Sequence, residues 1–278
     1  MRPHSSSWLK EIEVFRNRIN EDDDYAIPTY PWLAPPLHSK LRSLIERWGV
    51  ETELAPHDPV LGSKQDKVDK LVLVKSGVTA RCFGSVYGVQ PAVAFSIAGR
   101  LACGNLNFFS HRPCIGSYFA LVPSVVVSIP QSLLFSICEK DPAMMLTAAK
   151  EFELINLSDR LGFGIHSSLG VDDRLLAYFI TWVVAYGREE EIDGEIWIRM
   201  PAPLRGEALQ YVVNCSSAAL ERAIGKLKSA GMLVSQADSA LVKLECLLPV
   251  HRWIRNIEER SSDLHRDPLR KILSETTI

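Results

Sequence analysis

The chain has 278 residues, 47% hydrophobic and 23% charged, the balance of an ordinary globular protein with room for about two domains. Its formal net charge is −2, so no global field draws it to nucleic acid or to an anionic membrane, and any such surface has to be local. The six cysteines (Cys82, Cys103, Cys114, Cys138, Cys215 and Cys246) include no Cys-x-x-Cys pair, which argues against a zinc or thioredoxin-like site and for reduced thiols in a cytoplasm.

The opening MRPHSSSWLKEIEVF lacks the apolar stretch of a secretory signal. Residues 1–37 read as an accessory arm. Glu21 to Asp24 is a solvated acidic run, and PTYPWLAPPL is Pro-rich and expected to be extended. The alternative for Tyr30 and Trp32 is packing on the body of the protein. From Leu37 to Trp48, the side chains Leu41, Leu44, Ile45 and Trp48 share a helical face.

Between Leu54 and Ile137, short apolar runs such as LVLV, AVAFSI and VVVSI are separated by Gly, Pro, Ser or Asn. That pattern predicts many short strands, hence a sandwich, jelly roll or barrel. The uncharged run from Pro113 to Cys138 is long enough to span a bilayer, but Pro123 and Pro130 interrupt it, so buried strands are expected there and no membrane span.

Asp141-Pro142 is a helix start, with Asp as N-cap and Pro in the first turn. The helix that follows carries two apolar stripes. One is Met145, Ala148, Phe152 and Ile155; the other is Leu154, Leu157, Leu161 and Ile165. The first is expected to face a partner subunit, with a helix buried inside one domain as the alternative. SSLG, ending at Gly170, breaks this helix. VDDRLLAYFITWVVAYG resumes helical spacing, EEEIDG reads as a charged turn, and EIWIRM alternates like a strand.

Residues 206–230 predict two short helices on a three-residue turn. Ala208, Leu209, Val212 and Val213 give the first its apolar edge. In the second, Ala219, Leu220, Ala223, Ile224, Leu227 and Ala230 share one arc, and Ala218, Glu221, Arg222, Gly225 and Ser229 point away. Asn214 suits the left-handed conformation of a tight turn, and Ser216 suits an N-cap. GMLVSQADSALVKLEC then reads as strand, turn, strand. This is a winged helix-turn-helix, whose second helix would enter a major groove by its N-terminal end. From 168 to 246 there are 8 basic and 11 acidic side chains, but from Leu204 to Ala230 the balance is four basic to two acidic, so non-specific binding should be weak and salt-sensitive.

In that order of parts the chain resembles the Crp/Fnr family of bacterial transcription regulators, from about Leu37 to Cys246. GRLACGNLNFF is similar to the family's glycine-bearing turn before its short barrel helix, and NCSSAALERAIGKLKSAGMLV to its recognition-helix segment. The resemblance implies an α+β chain: an arm (1–37), a cyclic-nucleotide-binding-like β-roll or jelly roll (38–140), a dimerisation helix (141–167), a winged helix-turn-helix (168–246) and a C-terminal extension (247–278). It implies a homodimer on an inverted repeat of double-stranded DNA, with RNA polymerase as a further partner and no enzymatic activity, metal or cofactor. An effector pocket would lie between roll and helix, at Gly104, Asn105, Leu106, Cys114, Ile115, Asp159 and Arg160. Relatives that bind cyclic nucleotides place Glu after the turn's Gly and an Arg-Ser or Arg-Thr pair further on. Here Asn105, Cys114 and Ile115 stand there, so cyclic AMP is not the expected effector. Recognition helices reading the common half-site use Arg, Glu and Arg where this chain has Ser217, Ala218 and Arg222. The expected DNA-contacting residues are these three with Arg205, Ser216 and Lys226, and Arg222 is the candidate reader of guanine. A regulator of the same fold without an effector is an alternative. A cupin-like enzyme is another, but the seven histidines are scattered without a His-x-His pair. The tail around Trp253, Ile254 and Ile257 is expected to pack as an extra helix on the dimer.

Overall fold

A computed structural model describes residues 3–18, 27–61, 67–83, 92–103, 113 and 116–264. The N-terminal segment, expected as part of an accessory arm, is packed into the body of the protein. Trp8, Ile12 and Phe15 recur at four and three residues, the spacing of one helical face, and Pro3–Asn17 form helix α1 with all three buried. The Pro-rich segment that follows is buried as well: Tyr30, Trp32 and Leu33 have no exposed surface. Burial of so much aromatic area is what holds this segment on the body of the protein, the alternative given above for Tyr30 and Trp32; the acidic run Glu21 to Asp24 lies outside the described residues. Helix α2, Ser39–Trp48, is capped by His38, whose Nδ1 accepts from the Lys40 N–H at 3.1 Å.

Seven strands follow: β1 Val50–Leu54, β2 Lys70–Ser76, β3 Val78–Phe83, β4 Ala92–Ile97, β5 Leu101–Cys103, β6 Ser117–Ala120 and β7 Ser124–Pro130. They make two antiparallel sheets, in the orders β1-β7-β2-β5 and β4-β3-β6. β2 is buried on both faces, which is why LVLV shows no polar alternation. Val72 and Val74 pack with Tyr118 and Val126, whereas Leu71 and Leu73 pack under helices with Leu41, Ile45 and Ile129. The tight passage from β2 to β3 needs Gly77, at φ +85, because a Cβ there would stand 2.3 Å from the Ser124 hydroxyl oxygen.

Gln131–Cys138, read from sequence as part of the strand region, is helix α3; Pro130 provides its extended N-cap. Helix α4, Pro142–Ser168, starts as expected, with the Asp141 carboxylate accepting from Ala143 N–H at 3.1 Å. The stripe expected to face a partner is turned inward, and the second stripe is split, with Ile165 fully buried and Leu157 exposed. Ala148, Phe152 and Ile155 are buried against the chain's own roll, beside Leu71, Leu101 and Ile129, with Met145 packed at the edge. This stripe is therefore intradomain core, covering the β1-β7-β2-β5 sheet together with α2 and α3. Leu146 and Leu157, 60% and 41% exposed, lie on the face left open.

The rest is helix α5 Val171–Tyr186, β8 Arg188–Ile192, β9 Glu195–Pro201, α6 Gly206–Val213, α7 Ser217–Ser229, β10 Leu233–Ser235, β11 Ser239–Lys243 and α8 Leu244–Leu264. The acidic stretch expected as a turn is mostly strand. β8 pairs with β9 through an Asp193-Gly194 turn, both residues at positive φ, in the sheet β10-β11-β9-β8. α5 is buried along Ala177 to Val184 and is the axis of this second unit. α8 packs on its own chain: Ile254 is fully buried in the core shared with α1 and α5, and Trp253 lies against that core. Among the described residues no helix is long and apolar enough to cross a membrane.

Candidate nucleic-acid interface

α6 and α7 meet at Asn214, which takes the left-handed conformation (φ 54, ψ 62). Arg174, reaching from α5, donates Nη1 to the Asn214 carbonyl at 3.0 Å and steadies the turn, a tertiary contact with no local signal in the sequence. The Ser216 hydroxyl accepts from Ala219 N–H at 3.3 Å and caps α7. Leu220 and Ala223 point into the core with Leu209, Val212 and Val213. The opposite face, with Ser217, Ala218, Glu221, Arg222 and Gly225, is exposed.

The six residues singled out from sequence are placed differently from one another. Ser217 donates to the Glu221 carboxylate at 3.1 Å. Arg222 makes no hydrogen bond or ion pair among the described residues and stands free on the exposed face of α7. Lys226 is turned toward the first turn of α5, with Nζ 2.6 Å from Asp172. Both partners are exposed, so the pair holds Lys226 weakly. Arg205, the N-cap of α6, lies on the wing turn, donating Nη2 to the carbonyls of Gln236 at 2.5 Å and Ser239 at 3.4 Å. Ser216 is engaged as the cap. The exposed N-terminal half of α7 thus offers small side chains and one unengaged guanidinium, beside a wing anchored by Arg205.

The contact between roll and α4 has a different chemistry. Arg81 on β3 donates Nη2 to Asp159 Oδ1 at 2.8 Å, and both side chains are buried. Burial pushes the Asp159 carboxyl up to about 6, with Arg81 pulling it back only in part. Arg81 Nε and Nη1, Asp159 Oδ2 and the Thr79 hydroxyl are buried without a hydrogen-bond partner. Arg160 is exposed. Gly104, Asn105, Leu106, Cys114 and Ile115 lie outside the described residues. No group of three or more His, Cys, Asp or Glu suited to a metal occurs among the described residues.

The two-sheet roll, the long helix leaving it and the winged helix-turn-helix beyond are together the fold of the Crp/Fnr transcription regulators. FixK2 from Bradyrhizobium japonicum is similar at 12% identity and a TM-score of 0.60, over 73% of this chain and 96% of FixK2. CLP, a c-di-GMP-responsive global regulator of Xanthomonas campestris, is similar at 14% and 0.57, over 73% and 97%. TTHA1359, a transcriptional regulator of the CRP/FNR family from Thermus thermophilus, is similar at 14% and 0.52, over 72% and 97%. At these identities the likeness establishes the fold. No family model and no curated protein matches the sequence.

Proposed function

We propose that the chain is a homodimeric, sequence-specific regulator that binds an inverted repeat in double-stranded DNA through α7, in the cytoplasm, with RNA polymerase as a further partner. The carrying observation is the capped turn that presents Ser217, Ala218 and the unengaged Arg222 together on an exposed face. Small residues let the helix end approach the bases, and a free guanidinium suits the acceptor pair of guanine. The dimer seam is the outer face of α4. Leu146 and Leu157 are eleven residues apart, and at 100° per residue they differ by about 20° on the wheel. Phe152 is about 140° from Leu157 on the same wheel, toward the roll. Asp159, engaged by Arg81, supports an effector other than a cyclic nucleotide, or none.

The test is selection of bound duplexes from a random pool, followed by affinity measurement on the selected site. Arg222→Ala should weaken binding by about 1–3 kcal/mol and relax the preference at one position of each half-site. Equal affinity of variant and wild type would remove Arg222 from base reading. Failure of the pool to yield any enriched site would remove the function itself.

A further inference from the structure

Residues 27–37, between α1 and α2, are bonded to α4, α5, α8 and the roll. On α5, the Thr181 hydroxyl donates to the Pro31 carbonyl at 3.0 Å. On α4, Trp32 N–H donates to the Ser158 carbonyl at 3.1 Å, and the Ser158 hydroxyl donates to the Leu33 carbonyl at 2.9 Å. On α8, Arg255 donates Nη2 to the Thr29 carbonyl at 2.7 Å and lies over the Tyr30 ring. On the roll, Leu37 N–H donates to the Gly99 carbonyl at 2.9 Å and Arg100 Nε donates to the Ala34 carbonyl at 3.2 Å. α1 continues the grip: Arg16 donates to the carbonyls of Val183, Val184 and Gly187, at the end of α5 where a helix runs out of donors of its own.

Trp32 is the centre of this strap. It has no exposed surface and sits at φ +60, a conformation that persists in a bulky residue only when its surroundings fix it. Its ring meets Phe95 on β4 and His166 on α4, at centroid distances of 6.3 and 5.2 Å. α4 is hollowed to receive it, since a Cβ on Gly162 would stand 2.1 Å from the indole Cδ1. α4 passes into α5 at Leu169 and Gly170, and Gly170 caps α5 with no side-chain bond. The strap spans that junction, bonded to α4 on one side and to α5 on the other. A change of angle there breaks its bonds. The same angle is held beyond the strap, where His166 Nε2 donates to the Val212 carbonyl of α6 at 2.9 Å and Tyr211 packs edge-on to Phe119 of β6.

We infer that residues 27–37 are an internal effector: the strap, seated by Trp32, fixes the angle between α4 and the winged unit and so sets the separation of the two recognition helices in the dimer. The inference rests on the DNA-binding reading above and concerns its regulation. The strap does not cover the exposed face of α7, so it acts through geometry. Two tethered heads reach two half-sites together only when their spacing matches, so a loosened angle weakens two-site binding and spares one-site binding.

Gly162→Ala tests this. Alanine favours helix over glycine, so α4 is not weakened locally, while the new Cβ displaces the Trp32 ring. Hydrogen exchange should quicken at 27–37 and across the α4–α5 junction. Affinity for a selected duplex with both half-sites should fall about tenfold, with affinity for a single half-site within about twofold of wild type. Thr181→Val, which removes one strap bond at nearly constant volume, should move both readings the same way by a smaller step. A released strap with full-site affinity unchanged, or equal losses on both duplexes, overturns the inference. Because hydrogen exchange needs no DNA, a wild-type protein that binds no duplex would sink the functional reading separately from the strap's mechanical role.

Discussion

Replacing Asp159 by asparagine should shift how stability depends on pH. In the folded chain Asp159 is 4% exposed, and burial raises its carboxyl from 3.8 to about 6 in spite of Arg81. The folded value lies above the unfolded one, so between pH about 4 and about 6 the native state keeps a proton that the unfolded chain has released. The resulting stability is present below that window and is lost as pH rises through it. A gap of about two units is worth on the order of 3 kcal/mol. Asparagine has nearly the same shape and no charge. At low pH the wild type also has a neutral group beside Arg81, so the two proteins should be closest there. From pH about 4 to about 7 the stability of Asp159→Asn relative to wild type should rise by on the order of 3 kcal/mol. Urea unfolding of both proteins across the range measures it, and the difference cancels shared groups. One such group is Glu11: burial pushes its carboxyl up, but His251 and Arg255 outweigh this and leave it lowered, so it acts in the opposite sense. A difference that stays flat or shrinks toward neutral pH would refute the reasoning, because the ionised pair would then be net stabilising.

Phe152→Ala should cost about 3–5 kcal/mol in chemical unfolding, since its side chain is core. Leu157→Glu should sediment as a folded monomer while wild type is a dimer; a dimeric variant would place the seam elsewhere. Ser216→Ala should lower stability by about 1 kcal/mol through the lost cap on α7, read as a fall in melting temperature, and an unchanged melting curve would mean that the cap is not formed.

The parts that sequence made readable are those fixed by local chemistry. Asp141-Pro142 starts α4 because Asp accepts from its own first turn. Asn214 and Ser216 shape the turn before α7 by conformation and capping within a few residues. The parts it hid depend on partners far along the chain. α4 has two apolar stripes of similar strength, and only tertiary packing puts the first against the β1-β7-β2-β5 sheet and splits the second between buried Ile165 and exposed Leu157. β8 is held by backbone pairing to β9, so its glutamates show no alternation. Gln131 to Cys138 is an apolar run short enough to be strand or helix, and its position after Pro130 decided for helix. The face of Trp8, Ile12 and Phe15 was visible as helical spacing but lay beside an acidic and Pro-rich stretch that reads as solvated. Arg205 and Lys226 were found as cations near the motif, but the wing carbonyls and Asp172 that engage them are set by the tertiary fold.

The joining of α1 to α5 and α8 also bears on how the protein is made. Arg16 bonds to Gly187 across 171 residues and Arg255 to Thr29 across 226, while Trp8 packs on the His251 ring at 4.6 Å. α1 leaves the ribosome long before α5 and α8 exist. Phe15 can meet Tyr30 early, at a ring-centroid distance of 5.1 Å, but the indole of Trp8 waits for His251 of α8. Part of this apolar face therefore stays bare until α5 and α8 have been made, and the joining of α1 to α8 is a late event of high sequence separation. A chain halted at Lys243 would keep that helix partly bare, which makes the truncated product a natural client of chaperones and proteases.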